Sequence, residues 1–275
     1  MTSSLRVGIV NYLNSRPLAW SFLRGEVGPD IHTRFLPPAR VADLLAAGDL
    51  EVGLIPSIEV QRIPGLEILP GLCVAATREV RSVLLLSRCP LGQIKRLALD
   101  ENSRTSATLV RILLHENFGI DPECVTAAPR LADMMADADA ALVIGDPALA
   151  VDRHGLHVLD LAAAWRQLTG HPFVFAVWAV REGVDIGPWE GVFHRSLEQG
   201  RSEMEILIQE ASTEMNLSVE AIREYLTQCL SFELGQAELQ GLQEFFRRAH
   251  AQGLTEQLHA LGDSSSCDQG NDSVE

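Results

Sequence analysis

The 275 residues, 47% hydrophobic and 21% charged, have the balance of a folded globular chain. That length suits one large domain or two lobes of about 100 residues or more each. A formal charge of -15 argues against a track for nucleic-acid phosphates and against binding to an anionic membrane, but a small anion held by local donors is compatible with it.

The N-terminal MTSSLRVGIV lacks a signal-peptide core, and no apolar run approaches the ~18 residues of a membrane span, so a cytoplasmic protein is expected. Cys73, Cys89, Cys124, Cys229 and Cys267 are an odd, scattered set without a C-x-x-C pair. They read as reduced thiols, and with no ligand spacing of the usual kinds no metal site is expected.

In chain order, the β-rich runs are 6–10, 32–36, 52–55, 67–69, 73–76, 82–87, 96–99, 140–144 and 173–180. Helical patterns lie between them at 17–23, 39–47, 105–117, 131–136 and 161–168. Such alternation argues for a largely parallel α/β sheet with both faces covered. Gly48 and Gly119 stand where helix C-caps belong, and Pro56 and Pro147 stand where a proline can open a helix.

After Val180 three amphipathic helices are expected, over 189–212, 218–230 and 235–252, with Leu239, Leu242, Phe245 and Phe246 on a core-facing stripe. Residues 263–275 are small, polar and acidic and read as a disordered tail. The Pro-Leu-Gly connector at 90–92 suggests a first lobe of 1–87 plus 180–262 and a second of 88–179, with a ligand cleft between them.

Polar clusters follow several strands at their carboxyl ends, where open α/β sheets bind ligands. They are Asn11-Tyr12-Leu13-Asn14-Ser15, Pro56-Ser57-Ile58-Glu59, Asn102-Ser103-Arg104-Thr105-Ser106 and Gly145-Asp146-Pro147. Ahead of a helix, the serines and threonine of the third can cap it while free amides face a carboxylate, and Arg104 can add a fork. Each cluster could also be purely structural, as a cap or a turn. His171 could border the cleft as a general base, or be an incidental loop residue. No P-loop, G-x-S-x-G or G-x-G-x-x-G stands in a useful context, so the residues point to a cleft without an evident nucleophile, metal or nucleotide cofactor.

The segments VGIVNYLNSRPL, GDLEVGLIPSIE, VRSVLLLSR, ENSRTSATLVRILL, ALVIGDPAL and LTGHPFVFAVWAV follow one another over residues 6–250 in an order that resembles the chorismate dehydratases of the futalosine route to menaquinone. The resemblance implies a two-lobed fold like type II periplasmic binding proteins, with a helical C-terminal segment. It also implies loss of water from chorismate to give 3-[(1-carboxyvinyl)oxy]benzoate, without a cofactor. Carried over residue by residue, it places Asn14, Ser15, Ser57, Arg81, Ser82, Ser103, Arg104, Thr105, Ser106, Gly145, Asp146 and Phe173 around the substrate. Arg16 and His171 stand where the family varies, and neither is expected to touch substrate.

Chorismate carries its own base, the enolpyruvyl carboxylate beside C3, and holding reactant and base together can contribute on the order of 7–11 kcal/mol. On this reading Asn14 orients and does not transfer a proton. An enzyme-supplied base, His171 or Asp146, is the competing arrangement. Two other functions stay open: the sister enzyme 1,4-dihydroxy-6-naphthoate synthase, whose first motif is rich in Ser, Pro and Asp, and a non-catalytic small-anion-binding protein.

Overall fold

A computed structural model describes residues 4–261. The chain runs β1 (Leu5–Val10), a 3₁₀ turn (Leu13–Ser15), α1 (Trp20–Arg24), β2 (Ile31–Leu36), α2 (Pro38–Ala47), β3 (Val52–Pro56), a second 3₁₀ turn (Ser57–Gln61) and β4 (Leu66–Ala76). Next come β5 (Val83–Ser87), β6 (Arg96–Asp100), α3 (Thr105–Phe118), β7 (Glu123–Ala127), α4 (Leu131–Met134), β8 (Ala140–Ile144), α5 (Asp146–Ala150), β9 (His157–Asp160) and α6 (Leu161–Thr169). The last part is β10 (Phe173–Arg181), α7 (Gly187–Ser202), α8 (Met204–Met215), α9 (Val219–Glu224), a π turn (Tyr225–Cys229), β11 (Ser231–Leu234) and α10 (Gln236–Ala251).

Two sheets result, ordered β11-β4-β10-β3-β1-β2 and β7-β6-β8-β5-β9. Both are mixed, not largely parallel: β1 lies parallel to β2 and β3, and β6 parallel to β7 and β8, whereas β10 and β5 run antiparallel to their neighbours. The chain leaves the first sheet after Ala76, enters the second at Val83 and returns at Phe173, so each crossing strand arrives from the opposite end. Val83–Ser87, assigned to the first lobe from sequence, therefore bonds wholly inside the second sheet.

β1 is buried at all but one position, and Gly8 lets α2 settle on the sheet: a Cβ there would lie 2.5 Å from Leu50 and 2.8 Å from Val41. Gly48 and Gly119 end α2 and α3 in the left-handed conformation, as their positions indicate. The strand expected to break at Pro70-Gly71 continues as β4, which absorbs the break by shifting register against β10. The helix expected over 189–212 is two helices. The chain turns at Glu203, whose carboxylate accepts the Trp20 indole N–H at 2.9 Å, and α8 then joins Leu13, Trp20, Ile222 and Tyr225 in a second small core. The expected tail at 263–275, with Cys267, lies outside the described residues.

Candidate active site

The carboxyl ends of β1, β3, β6 and β8 converge on one cavity that encloses about 530 Å³, part of it open to solvent. Its apolar walls come from Val10, Pro38, Leu54, Pro56, Val74, Val83, Ile144, Phe175 and Ala176. Its polar lining is Tyr12, Asn14, Ser15, Asn102, Ser103, Arg104, Thr105, Ser106 and Gly145. Among the described residues that line it, no carboxylate, histidine or cysteine occurs, and Arg104 carries the single formal charge.

The strongest polar feature is the start of α3, a 14-residue helix whose first residue follows directly on Arg104. No side chain caps it, and among the described residues the first amide of this segment with a backbone acceptor is Thr108, which donates to the Arg104 carbonyl at 3.1 Å. Among the described residues the amides of Arg104, Thr105, Ser106 and Ala107 have no protein acceptor, the first three residues line the cavity, and the positive end of the helix dipole lies there.

The expected site residues divide by what their polar atoms already do. Asn14 lines the cavity and also acts on the buried Tyr225 phenol, which donates to Ser82 Oγ at 2.7 Å. Burial pushes that phenol up, while Ser82 and Asn14 pull against the shift. Ser82 is fully buried and does not line the cavity. Ser15 does line it, but its hydroxyl donates to the Val10 carbonyl at 2.5 Å and the Tyr12 carbonyl at 2.7 Å, which holds the turn. Ser57 sits behind the wall, donating to the Val174 carbonyl at 2.7 Å, while Thr105 Oγ1 accepts the Ile58 amide at 3.2 Å.

Arg104 does not offer a free fork. One guanidinium nitrogen meets Glu59 Oε2 at 2.7 Å and another meets Asp43 Oδ1 at 2.5 Å, both carboxylates standing on the first-sheet side. Burial works against its charge, but Glu59 and Asp43 outweigh it and hold the guanidinium above its ordinary value. Arg81 lies away from the cavity, with a left-handed φ of 62°, paired to Glu79 and Glu224. Gly145 lines the site at φ 66°, ψ -149°, a region open essentially to glycine, and a Cβ there would lie 2.9 Å from the Tyr12 ring. Asp146 lies outside the lining, where its Oδ1 accepts the Leu13 amide at 2.9 Å across the two sheets; burial raises it.

Phe173 is a core residue, 1% exposed and edge-on to Trp165, Phe175 and Phe245. The ring that lines the cavity is Phe175. The pairing of β10 with β4 skips from Val174 to Ala176, so Phe175 is the extra residue of a bulge, which re-aims its side chain. His171 does not line the cavity, and Arg16 pairs with Glu214 at 2.8 Å.

A family model described as menaquinone biosynthesis matches residues 5–251. A chorismate dehydratase of Thermus thermophilus is 33% identical over 193 residues, covering 64% of this chain and 69% of that protein. Among solved structures, protein AF1704 from Archaeoglobus fulgidus superposes with a TM-score of 0.77 at 16% identity, over 92% of this chain and 99% of the other. The alkanesulfonate-binding protein SsuA from Xanthomonas axonopodis pv. citri, bound to MOPS, gives 0.64 at 17% identity, over 94% and 96%. These structural likenesses speak for the fold, which is two-lobed and periplasmic-binding-protein-like, with the cavity between the lobes.

Proposed function

Because the chain belongs to the menaquinone biosynthesis family, we propose that its cavity is the active site of a chorismate dehydratase, a carbon-oxygen hydro-lyase. The observation that carries the reading is the row of free amides at the start of α3, opening into a largely apolar cavity that has no acidic lining residue among those described. Such a site suits a dianionic, unsaturated ring: apolar walls take the ring and the helix start takes one carboxylate.

The reaction removes the C3 proton and the C4 hydroxyl and leaves a benzene ring. The base is the substrate's own enolpyruvyl carboxylate. The cavity's work is to fix its rotamer, with Asn14, which lines the cavity, as the orienting amide. Asp146 is engaged by the Leu13 amide and His171 stands outside the lining, which favours the substrate base over an enzyme base. Lobe opening for substrate entry turns on the two segments that cross between the sheets, 77–82 and 170–172.

The test is to incubate the purified protein with chorismate and follow formation of the aromatic enol ether by absorbance and mass. Turnover is expected, and Asn14→Ala should lower kcat by about 10²-fold or more with binding retained. Binding of chorismate without turnover would overturn the enzyme reading in favour of a small-anion-binding protein. Loss of turnover confined to Asp146→Asn or His171→Ala would replace the substrate base with an enzyme base.

A further inference from the structure

We infer that a basic cleft beside the cavity, centred on Arg111, captures the dianionic substrate by a carboxylate before it enters. The inference rests on the dehydratase reading, which supplies the dianion, and concerns a surface that the elimination itself does not use.

The cleft is more open than the cavity and encloses about 900 Å³, much of it solvent. Arg62 and Ile63, beyond β3, form its first-lobe side, and Leu99 of β6 with Ala107 and Arg111 of α3 form the other. It shares Ser103 and Arg104 with the cavity, so those two residues are the sill between the two spaces.

A chain of formal charge -15 repels a dianion at long range. The cleft reverses that sign locally. Its three arginines meet one lining carboxylate, Glu59, and Asp43 stands outside the lining as the second partner of Arg104. Those two acids are taken up by Arg62 and Arg104, whereas the exposed Arg111 forms no ion pair among the described residues. One positive charge is left over, and helical spacing puts it on the same face as Arg104 and Thr108. Beneath it, the half-buried Ile63, Leu99 and Ala107 give an apolar floor, and a cleft of one sign over a low-dielectric wall focuses the field toward an incoming anion. Floor and charge together fit a ring carboxylate better than a hydrated inorganic anion.

Ser103 is an independent sign of a ligand route. It is 9% exposed, its Oγ is buried without a partner, and it lines both spaces. A buried hydroxyl left unpaired is costly unless a bound group uses it. Thr108 Oγ1, by contrast, is occupied: it accepts from Arg62 at 3.1 Å and donates to the Arg104 carbonyl at 3.1 Å. Both acids that hold Arg104 belong to the first lobe, so lobe opening releases that guanidinium beside Ser103 as substrate arrives. A carboxylate caught at Arg111 then passes Arg104 and Ser103 to the amides at the start of α3.

The experiment measures association and dissociation rates of the aromatic product, itself a dianion, by stopped flow. Salt runs from about 0.01 M to 0.15 M, over which the screening length shrinks from about 30 Å to about 8 Å. The variants are Arg111→Ala, Arg111→Glu and, as a control for total charge, Arg195→Glu on α7, which packs against α1 and α8 and lines neither space. Arg111 and Arg195 are exposed, so all three should fold. Wild-type association should slow as salt rises. At low salt Arg111→Ala should associate several-fold more slowly and Arg111→Glu about 10-fold, with dissociation changed less than about twofold and kcat for chorismate unchanged. The deficit should close at the high-salt end, and Arg195→Glu should match the wild type. Wild-type association that quickens with salt, or an equal loss in Arg195→Glu, would mean that total charge governs entry and would overturn the proposal. A loss carried by dissociation alone would make Arg111 a contact of the bound ligand and overturn it too. A wild type that neither binds nor turns over chorismate sinks the dehydratase reading and this proposal with it, whereas turnover with rates indifferent to Arg111 sinks only the docking cleft.

Discussion

Phe173 and Phe175 stand two positions apart on β10, with ring centroids 4.7 Å from each other, yet they have different work. Phe173 closes an edge-to-face cluster with Trp165 and Phe245, and Phe173→Ala should cost about 3–5 kcal/mol of stability, read as a lower denaturation midpoint. Phe175 forms a wall of the cavity, so Phe175→Ala should raise KM for chorismate several-fold at a smaller stability cost. A larger midpoint loss for Phe175→Ala than for Phe173→Ala would reverse that assignment. The motif FVF shows two aromatic residues on one strand, but not the bulge at Phe175 that breaks their pairing register. Arg104 has the same lesson. Its place before a helix was visible in the sequence, while its engagement by Asp43 and Glu59, 61 and 45 residues away, is a tertiary fact. Asn14, Ser103 and Gly145 were legible because a ligand site at the carboxyl ends of strands needs only the strand positions.

The elements missed in the sequence share a physical cause. β7, β9 and β11 are each four or five residues long and lie at sheet edges, where one side faces solvent and little apolar patterning is required. One of them ends in the residue that ties a crossing segment together. Asp160 closes β9 and caps α6, accepting the Ala162 and Ala163 amides at 3.1 Å on Oδ1 and the Arg81 amide at 2.7 Å on Oδ2. The Val80 amide reaches both oxygens. Losing a cap costs about 0.5–2 kcal/mol, and each stranded buried amide adds about 1–3 kcal/mol. Asp160→Ala should therefore unfold several degrees below the wild type, and its protection from hydrogen exchange should be lost first around Val80 and Arg81. Burial raises the Asp160 carboxyl even though these amides pull it down. With a folded value above the unfolded one, its contribution is fullest at acid pH and declines as pH rises from the ordinary carboxyl value through the raised one. The stability difference between wild type and Asp160→Ala should shrink over that window, and a difference that grew instead would contradict the burial argument.

At the scale of the whole molecule, the lobes are held around the cavity by a small ionic cluster. Glu59, its side chain 3% exposed, takes Arg62 at 3.1 Å from its own turn and Arg104 at 2.7 Å from the second-sheet side. Arg62 also donates to Thr108 of α3 at 3.1 Å, so both arginines tie the start of that helix to the first lobe. Asp43, nearly half exposed, is the outer partner of Arg104. The two carboxylates should differ in weight. Glu59→Gln strands two partly hydrated guanidinium groups and should cost up to about 3 kcal/mol, below the range for a fully buried pair. Asp43→Asn removes an exposed partner and should cost at most about 1 kcal/mol. Because the Glu59–Arg104 pair joins the two sides, whereas Glu59–Arg62 lies within one, part of the Glu59→Gln loss falls on the closed state. Apparent affinity scales with the fraction of molecules that are closed, so KM should rise while kcat, set inside the closed cavity, stays close to wild type. Small-angle scattering should show a larger radius of gyration for unliganded Glu59→Gln, and added chorismate should return it toward the wild-type value as binding favours the closed form. Equal midpoints, KM and radii for Glu59→Gln and Asp43→Asn would mean that closure is set by the cavity's own ligand contacts, and that the cluster only positions Arg104.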